Sequence, residues 1–266
     1  MTALILIRGG GDLASGVALR LHRAGLKVLI SELPHPLAVR RMVSFAEAVY
    51  EGAIKVEDVT GKLVKREQIL PALDAGEIPV IVDPDVSILT DSRFSIPVVI
   101  DGRMTKQTPL PLPADVALHI GLGPGFHAGR NCHAVVETRR SHTLGRVYWN
   151  GSSQPDSGQP EGDPRRVLRV PANGILESRV EIGEHVDAGQ IVAEVAGNPI
   201  LAPFPGVVRG LIHPGLKVSA GLKVGDIDVR DEREACFLVS DKALAVGGGV
   251  LEAILSRENL RTILWR

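Results

Sequence analysis

Short apolar runs separated by polar, helix-favouring segments dominate the first half of the chain. Runs that are rich in β-branched side chains, and are followed within two residues by glycine or an acidic residue, occur at 3–7, 27–31, 78–82, 97–100 and 115–120. Such runs are typical of buried strands. An amphipathic segment at 13–25 and a helix-favouring one at 65–75 lie between them. The alternation predicts an α/β layer with a largely parallel sheet.

The first strand leads directly into Gly9, Gly10 and Gly11, and an amphipathic helix follows. With Ala14, the spacing fits the G-x-G-x-x-G/A turn, in which the N–H groups of the helix bind phosphate. Glu32 closes the second strand about 20 residues later, where an acidic side chain usually binds a ribose hydroxyl. These features predict a Rossmann-like layer that binds a nucleotide or another phosphate-bearing ligand. The alternative is a loop without a ligand, whose glycines only let helix and strand pack closely.

Two arginines near this turn each have two interpretations. Arg8, inside the loop, either adds charge for a phosphate or blocks a dinucleotide sterically. Arg40, in a predicted short helix after the second strand, either binds a 2′-phosphate or belongs to a solvated face. A second glycine-rich loop at 121–129 is either another phosphate cradle or a structural turn.

Ligands of open α/β sheets bind at the carboxyl ends of the strands, so these loops are expected to meet at one edge. A basic run follows the second loop and is interpreted as an anion clamp or a partner surface. The predicted cofactor-binding residues are Arg8, Gly9, Gly10, Gly11, Asp12, Ser15, Glu32, Arg40, Asp101, Gly123, Gly125, Arg139 and Arg146. The sequence predicts no specific catalytic residue.

A metal site is not predicted. Candidate ligands cluster in sequence at His127, Cys132, His133, Glu137 and His142. On a strand, however, Cys132 and His133 would point to opposite faces. No C-x-x-C or H-E-x-x-H pairing is present in the sequence.

From residue 166 the pattern changes to short β-strands that carry an internal repeat. Pro171, Gly174, Gly183, Val186, Ala188 and Gly189 recur at a constant offset as Pro203, Gly206, Gly215, Val218, Ala220 and Gly221. Two related halves predict a pseudo-twofold β-sandwich with a shared core. The repeat resembles the biotinyl/lipoyl-like barrel-sandwich hybrid over residues 167–229. In that family a hairpin lysine carries the prosthetic group. The hairpin here, with Gly197 and Asn198 as its predicted tight turn, has no lysine, so no covalent biotin or lipoate is expected.

Residues 240–255 predict a C-terminal helix, capped by Ser240 or Asp241, that returns to the α/β layer. Three glycines inside it cost about 1 kcal/mol each relative to alanine, which indicates close packing against another backbone. The predicted domains are a Rossmann-like nucleotide- or cofactor-binding domain at 1–130 and a connecting strand with a Gly/Ser/Pro-rich loop at 131–165. A barrel-sandwich hybrid at 166–231 and a C-terminal segment at 232–266 that packs on the N-terminal domain complete the chain.

Composition narrows the classes of function. The 266 residues have a net charge of −1 and 3% aromatic residues, which disfavours a nucleic-acid partner. No apolar run approaches the ~20 residues of a membrane span, and no signal peptide is recognisable. The cysteines, Cys132 and Cys236, are far apart in sequence and are interpreted as reduced thiols of a cytoplasmic protein.

Residues 8–16, 31–41, 121–129, 137–147, the repeat and residues 240–255 together resemble the accessory protein family of the selenium-dependent molybdenum hydroxylase system. The resemblance implies a maturation factor that handles a molybdopterin-type cofactor for a client enzyme of the xanthine dehydrogenase type. Such a factor turns over no metabolite itself, and self-association is a further expectation. The alternatives are a nonenzymatic binding scaffold and an NAD(P)-dependent oxidoreductase, for which the sequence offers no convincing proton donor.

Overall fold

The computed structural model describes residues 2–160 and 162–265. The chain forms two compact units. The first, here called the sheet unit, comprises Met1–Pro36, Ser44–Asp156 and Val239–Arg266. The second, the repeat unit, comprises Leu37–Val43 and Ser157–Leu238.

The described part of the sheet unit contains one nine-stranded sheet. Its strands are β1 (Ala3–Arg8), β2 (Val28–Glu32), β3 (Ala53–Val56), β4 (Val59–Leu63), β5 (Ile78–Val82), β6 (Ser95–Asp101), β7 (Leu118–Leu122), β8 (Ala134–Val136) and β9 (Val147–Tyr148). The spatial order is β3-β4-β5-β2-β1-β6-β7-β8-β9. Neighbours from β4 to β8 are parallel, whereas β3 and β9 pair antiparallel at the two edges. The predicted α/β class is confirmed, with a mixed sheet.

Within the described residues, the α-helices are α1 (Asp12–Arg23), α2 (Ala48–Glu51), α3 (Ile69–Asp74), α4 (Asp241–Leu255) and α5 (Glu258–Leu264). Helix α1 buries Ala14, Val17 and Leu21 at helical spacing. Ser240 is the N-cap of α4, where its side chain accepts a hydrogen bond from the Ala243 N–H. Among the described residues, no helix combines the length and apolar character needed to cross a bilayer.

Close contacts explain why two positions of α4 are occupied by glycine. A Cβ atom on Gly247 would lie 2.8 Å from Arg20 Cγ and 3.0 Å from the carbonyl oxygen of Gly16, both on α1. A Cβ atom on Gly249 would clash with the carbonyl oxygen of Gly145. Close packing against other backbone segments, predicted from the triple glycine, is therefore confirmed at these positions.

The described part of the repeat unit contains two antiparallel four-stranded sheets. Its strands are β10 (Val167–Arg169), β11 (Gly174–Ser178), β12 (His185–Val186), β13 (Ile191–Val195), β14 (Asn198–Leu201), β15 (Gly206–Leu211), β16 (Lys217–Val218) and β17 (Lys223–Asp228). The orders are β10-β17-β15-β12 and β14-β13-β11-β16. Each strand of the first half therefore has a counterpart in the second half: β10 with β14, β11 with β15, β12 with β16, and β13 with β17. Exchanging the counterparts converts one sheet order into the other, so the sequence repeat is visible in the fold.

The hairpin between the two halves turns one residue earlier than predicted. Val195 of β13 pairs with Asn198 of β14, so the central turn residues are Ala196 and Gly197, at φ 49° and 76°. Two-residue turns of this type need positive φ at both central positions. Asn198 instead begins a strand, and its side-chain amide donates to the carbonyl oxygens of Val195 and Ala196.

Candidate functional site

The strand order of the sheet unit reverses between β1 and β6. From β1 the chain passes through α1 to β2 on one side, whereas β6 is followed by β7 on the other. Ligands of open α/β sheets bind at such a reversal, beyond the carboxyl ends of the strands. The glycine turn after β1 and the loop after β6 flank this position. The Gly102 N–H joins the two loops by donating to the Arg8 carbonyl oxygen at 2.9 Å.

One of the three glycines in the first turn has no packing or backbone reason to be glycine. Gly9 has a φ of 88°, and a Cβ atom there would lie 3.2 Å from Arg103 Cγ. A Cβ atom on Gly10 would lie 2.8 Å from the backbone nitrogen of Ala46. Gly11, the N-cap of α1, has a φ of −64° and a ψ of 176°, which any residue adopts. A Cβ atom on Gly11 would meet nothing within 4 Å among the described residues, so open space lies directly before the helix.

Glu32 holds the glycine turn in place through both of its side-chain oxygens. Its Oε2 accepts a hydrogen bond from the Gly10 N–H at 2.6 Å, and its Oε1 accepts one from the Leu33 N–H at 2.7 Å. Burial raises the pKa of Glu32, and the two backbone hydrogen bonds oppose that shift. Both oxygens are thus directed at the protein's own backbone. The predicted contact with a ribose hydroxyl stays a prediction.

Ser15 ties the segment after β2 to the same turn. Its Oγ donates to the Gly10 carbonyl oxygen at 3.0 Å and accepts a hydrogen bond from the Phe45 N–H at 2.8 Å. The Ala46 N–H donates to the same carbonyl oxygen at 2.9 Å. These contacts give Ser15, which was predicted to bind a cofactor, a role in holding the turn.

Two arginines share one buried carboxylate at the end of β6. Asp101 is 1% exposed, and its two oxygens accept hydrogen bonds from Arg103 Nε at 2.9 Å and Nη2 at 2.7 Å. Arg8 Nη1 lies 3.7 Å from Asp101 Oδ2, and Arg8 Nη2 donates to the Pro84 carbonyl oxygen at 3.1 Å. Burial and the charge of Arg103 lower the pKa of Arg8, while Asp101 and more distant carboxylates oppose that shift. One carboxylate cannot neutralise two guanidinium groups, so this arginine–aspartate trio is net positive.

Polar atoms without partners cluster beside the trio. Arg8 Nε, Ser31 Oγ and His119 Nε2 are buried and have no hydrogen-bond partner among the described residues. Ser31, Arg8 and Asp101 are neighbours in register on β2, β1 and β6, so their side chains share one face of the sheet. His119 of β7 pairs with Val99, two residues before Asp101, and so belongs to the same face. Buried polar groups are normally paired, and this concentration of unpaired ones marks the edge as a candidate binding site.

His119 was not singled out by sequence analysis, because one histidine in an apolar strand matches no motif. It is 6% exposed, and burial lowers its pKa to about 4. Its ring meets the Phe126 ring edge-on, with centroids 6.1 Å apart. Phe126 fits there because Gly121 has no side chain: a Cβ atom on Gly121 would clash with the Phe126 ring. His119 is therefore uncharged at neutral pH.

The second glycine loop packs against its own chain. Gly123, at φ 70°, would clash through a Cβ atom with the Thr138 side chain. Gly125, at φ 102°, would clash with the carbonyl oxygen of Gln107. These contacts favour the structural-turn interpretation of residues 121–129. The phosphate cradle predicted there stays untested.

The first part of the connection between β6 and β7 is held at two points by glycines. Arg103 packs against Gly9 of the first turn, and Gln107 packs against Gly125 of the second loop. Between these contacts Met104 and Lys106 have φ values of 54° and 60°, a region that non-glycine residues rarely occupy. Such conformations persist where the surrounding structure imposes them, often at functional sites.

Arg139 and Arg146, predicted as an anion clamp, are both exposed on the loop after β8. Fully buried Glu137 organises this loop by accepting hydrogen bonds from the N–H groups of Arg139 and Gln154, each at 2.8 Å. The loop is also joined to α4, because Gly145 packs against the carbonyl oxygen of Ala245. The clamp stays a prediction.

Arg40 belongs to the repeat unit rather than to the unit that contains the glycine turn. It is 7% exposed, and its Nη2 donates to the carbonyl oxygens of Ala235 and Leu238 at 3.1 and 2.9 Å. The solvated-face interpretation of Arg40 is therefore wrong. Its predicted contact with a 2′-phosphate is untested.

Comparisons with known proteins give one clear sequence relative. The chain is 46% identical over 258 residues to the Escherichia coli (strain K12) protein called "Uncharacterized protein YqeB". The match covers 95% of this chain and 47% of that protein, so the chain spans about half the length of its relative. No known family profile matches the chain.

Solved structures align only loosely. An aspartoacylase family protein from Mesorhizobium loti is 10% identical and gives a TM-score of 0.27, covering 85% of this chain and 84% of that one. A succinylglutamate desuccinylase/aspartoacylase from Rhodobacter sphaeroides is 12% identical, with a TM-score of 0.28 and coverages of 83% and 86%. The product-bound ectoine utilization protein EutE (DoeB) from Ruegeria pomeroyi is 14% identical, with a TM-score of 0.26 and coverages of 85% and 84%.

These comparisons correct the expectation of a molybdenum hydroxylase accessory protein. The structures above are of aspartoacylase and desuccinylase proteins, and the sequence relative is uncharacterized. The maturation role and the molybdopterin-type cofactor are therefore wrong. Two motifs that suggested them have packing roles, since Gly125 fits against Gln107 and Gly145 against Ala245. TM-scores this low do not support assigning the neighbours' function to this chain. The function has to be argued from the residues of this chain.

Proposed function

We propose that this chain binds a compact anionic small molecule at the sheet edge between β1 and β6. The observation that carries the proposal is the open N-cap at Gly11, two residues from the contact between Gly9 and Arg103. The first turn of a helix offers backbone N–H groups and the positive end of its dipole. Guanidinium groups add bidentate, charge-assisted hydrogen bonds to phosphate or carboxylate. Phosphate groups suit both features, and inorganic pyrophosphate is the anion to test first.

Each residue of the proposed site contributes differently to anion binding. Arg103 and Arg8 supply the positive charge, and Asp101 holds the Arg103 guanidinium in place by a two-point contact at 2.9 and 2.7 Å. Gly11 leaves the space for the anion. Asp12 already uses one N–H group of the first turn, because its Oδ1 accepts from the Leu13 N–H at 2.9 Å. The unpaired atoms beside the trio offer further polar contacts at the same edge.

The fold supports this placement. We propose a Rossmann-like assignment for the sheet unit, because six of its seven parallel strands follow the order β5-β2-β1-β6-β7-β8, with the seventh, β4, added outside β5. Numbered among themselves, these strands have the 3-2-1-4-5-6 order of dinucleotide-binding folds, whose ligand site lies at the reversal. We also propose a barrel-sandwich hybrid for the repeat unit, supported by two sheets that the repeat relates to each other.

The test compares Arg103→Gln with the matched control Arg93→Gln. Arg93 makes the same two-point contact with an aspartate two residues before it, at 2.9 and 2.6 Å, but on an exposed surface. Inorganic pyrophosphate is expected to raise the melting temperature of the wild type and of Arg93→Gln. By calorimetry, its affinity should fall at least about tenfold in Arg103→Gln, as expected for a lost charge-assisted contact. Equal affinities in the two variants, or no binding by the wild type, would contradict the proposal.

A further inference from the structure

The side of the glycine turn that faces β2 is filled by the protein itself. The Ala46 N–H donates to the Gly10 carbonyl oxygen at 2.9 Å. The direction in which Gly10 would carry a side chain is closed at 2.8 Å by the backbone nitrogen of Ala46 and at 3.2 Å by Ile30 Cγ2. The space before Gly11 is open by contrast. Two adjacent glycines of one turn therefore have opposite surroundings.

The segment that fills this side is fixed by core packing. Phe45 is fully buried, and its ring lies where a side chain on Gly61 of β4 would be. Its N–H donates to Ser15 Oγ at 2.8 Å. Displacing residues 45–46 would therefore expose an aromatic ring and leave buried polar groups unpaired, which is costly.

The acidic residue at the end of β2 is also engaged. In dinucleotide-binding folds this residue binds the adenosine ribose, while the pyrophosphate lies on the glycine turn. Here both Glu32 oxygens accept backbone hydrogen bonds, from Gly10 at 2.6 Å and Leu33 at 2.7 Å. Rotating Glu32 toward a ribose would leave the Gly10 N–H buried without an acceptor. Position and hydrogen bonding thus both disfavour a nucleoside over β2.

From these contacts we infer that the site selects compact phosphate compounds and excludes dinucleotides, because Phe45, Ala46 and Glu32 close the part of the crevice that an adenosine half would occupy. The ligand then lies wholly on the side of Gly11, Arg8 and Arg103. This inference rests on the proposed function and narrows its ligand to monophosphates or pyrophosphates without a second nucleoside. It also separates this chain from NAD(P)-dependent enzymes that share the glycine spacing.

The experiment uses the full chain and three probes that carry comparable negative charge and differ in size: ribose 5-phosphate, AMP and NADH. Dissociation constants are measured for each by calorimetry. The better of the two compact probes is expected to bind at least tenfold more tightly than NADH. A smaller ratio overturns the inference alone, because compact anions would still bind. Binding of none of the three probes, together with no binding of pyrophosphate, overturns the proposed function and the inference with it.

Discussion

The two glycine-rich loops at the carboxyl edge of the sheet have similar composition, but the first contains a glycine that the structure does not require. In the second loop, Gly123 and Gly125 combine positive φ with contacts that a Cβ atom would destroy. In the first turn, Gly9 combines a positive φ with a close contact, and Gly10 has a close contact alone. Gly11 has an ordinary backbone conformation and open space around it. At a turn from a strand into a helix, a glycine that neither packing nor conformation demands indicates room for a ligand. Motif spacing alone cannot make that distinction.

The largest effect is expected in the second loop. Gly125→Ala should lower the free energy of unfolding by about 3 kcal/mol or more, because a strained φ and a clash with the Gln107 carbonyl oxygen add up. Gly129→Ala is the control, since Gly129 also has a positive φ, of 84°, but nothing within 4 Å of a Cβ atom. The free energy of unfolding of Gly129→Ala should fall by about 1–2 kcal/mol. Urea unfolding measures both, and equal losses would show that the contact with Gln107 is unimportant.

The second loop also buries His119, which should make the protein acid-sensitive. Burial lowers the pKa of His119 from 6.5 to about 4, so between these values the unfolded chain binds a proton that the folded chain does not. Stability is therefore expected to fall as pH drops from 6.5 toward 4, by up to about 3 kcal/mol from this group. His119→Leu should remove that part of the pH dependence. A His119→Leu profile parallel to that of the wild type would refute the assignment.

The smallest effect on stability is expected at Gly11, with a clear effect on binding. A serine at this N-cap can accept a hydrogen bond from the first turn of α1, so Gly11→Ser should gain about 0.3 kcal/mol in stability. The same side chain occupies the open space and should weaken pyrophosphate binding about tenfold. Stability and affinity thus move in opposite directions. If both stayed at wild-type values, Gly11 would be no part of an anion site.

Much of the sheet was predictable from the local pattern of apolar residues. The run at 78–82 matches β5, and the run at 3–7 extends by one residue to Arg8. These strands were predictable because short β-branched runs that are buried on both faces leave few other conformations. The fifth strand, predicted at 115–120, is observed at Leu118–Leu122. Its ends differ because an apolar run does not determine where pairing with a neighbouring strand begins.

The site was less predictable, because its aspartate–arginine pair differs from similar pairs elsewhere in the chain only in burial. The same pairing of an aspartate with an arginine two residues later occurs at Asp91–Arg93, Asp101–Arg103, Asp163–Arg165 and Asp228–Arg230. Of these four aspartates, Asp101 lies 1% exposed beside β1, whereas Asp163 is 38% exposed. That contrast is set by the register of β6 against β1, strands far apart in sequence. Local spacing therefore could not single out Arg103.

The packing of α4 on α1 has a consequence for synthesis on the ribosome. Gly16 and Arg20 of α1 are translated before the repeat unit, but their partner Gly247 is translated only after the whole of it. At 5–20 residues per second, the interval from α1 to the end of α4 is roughly 10 to 50 s. Throughout that time the surface of α1 that receives α4 is uncovered, while the repeat unit between them can already fold. A nascent chain stalled before Asp241 is therefore expected to present α1 to chaperones, whereas the chain released from the ribosome is not.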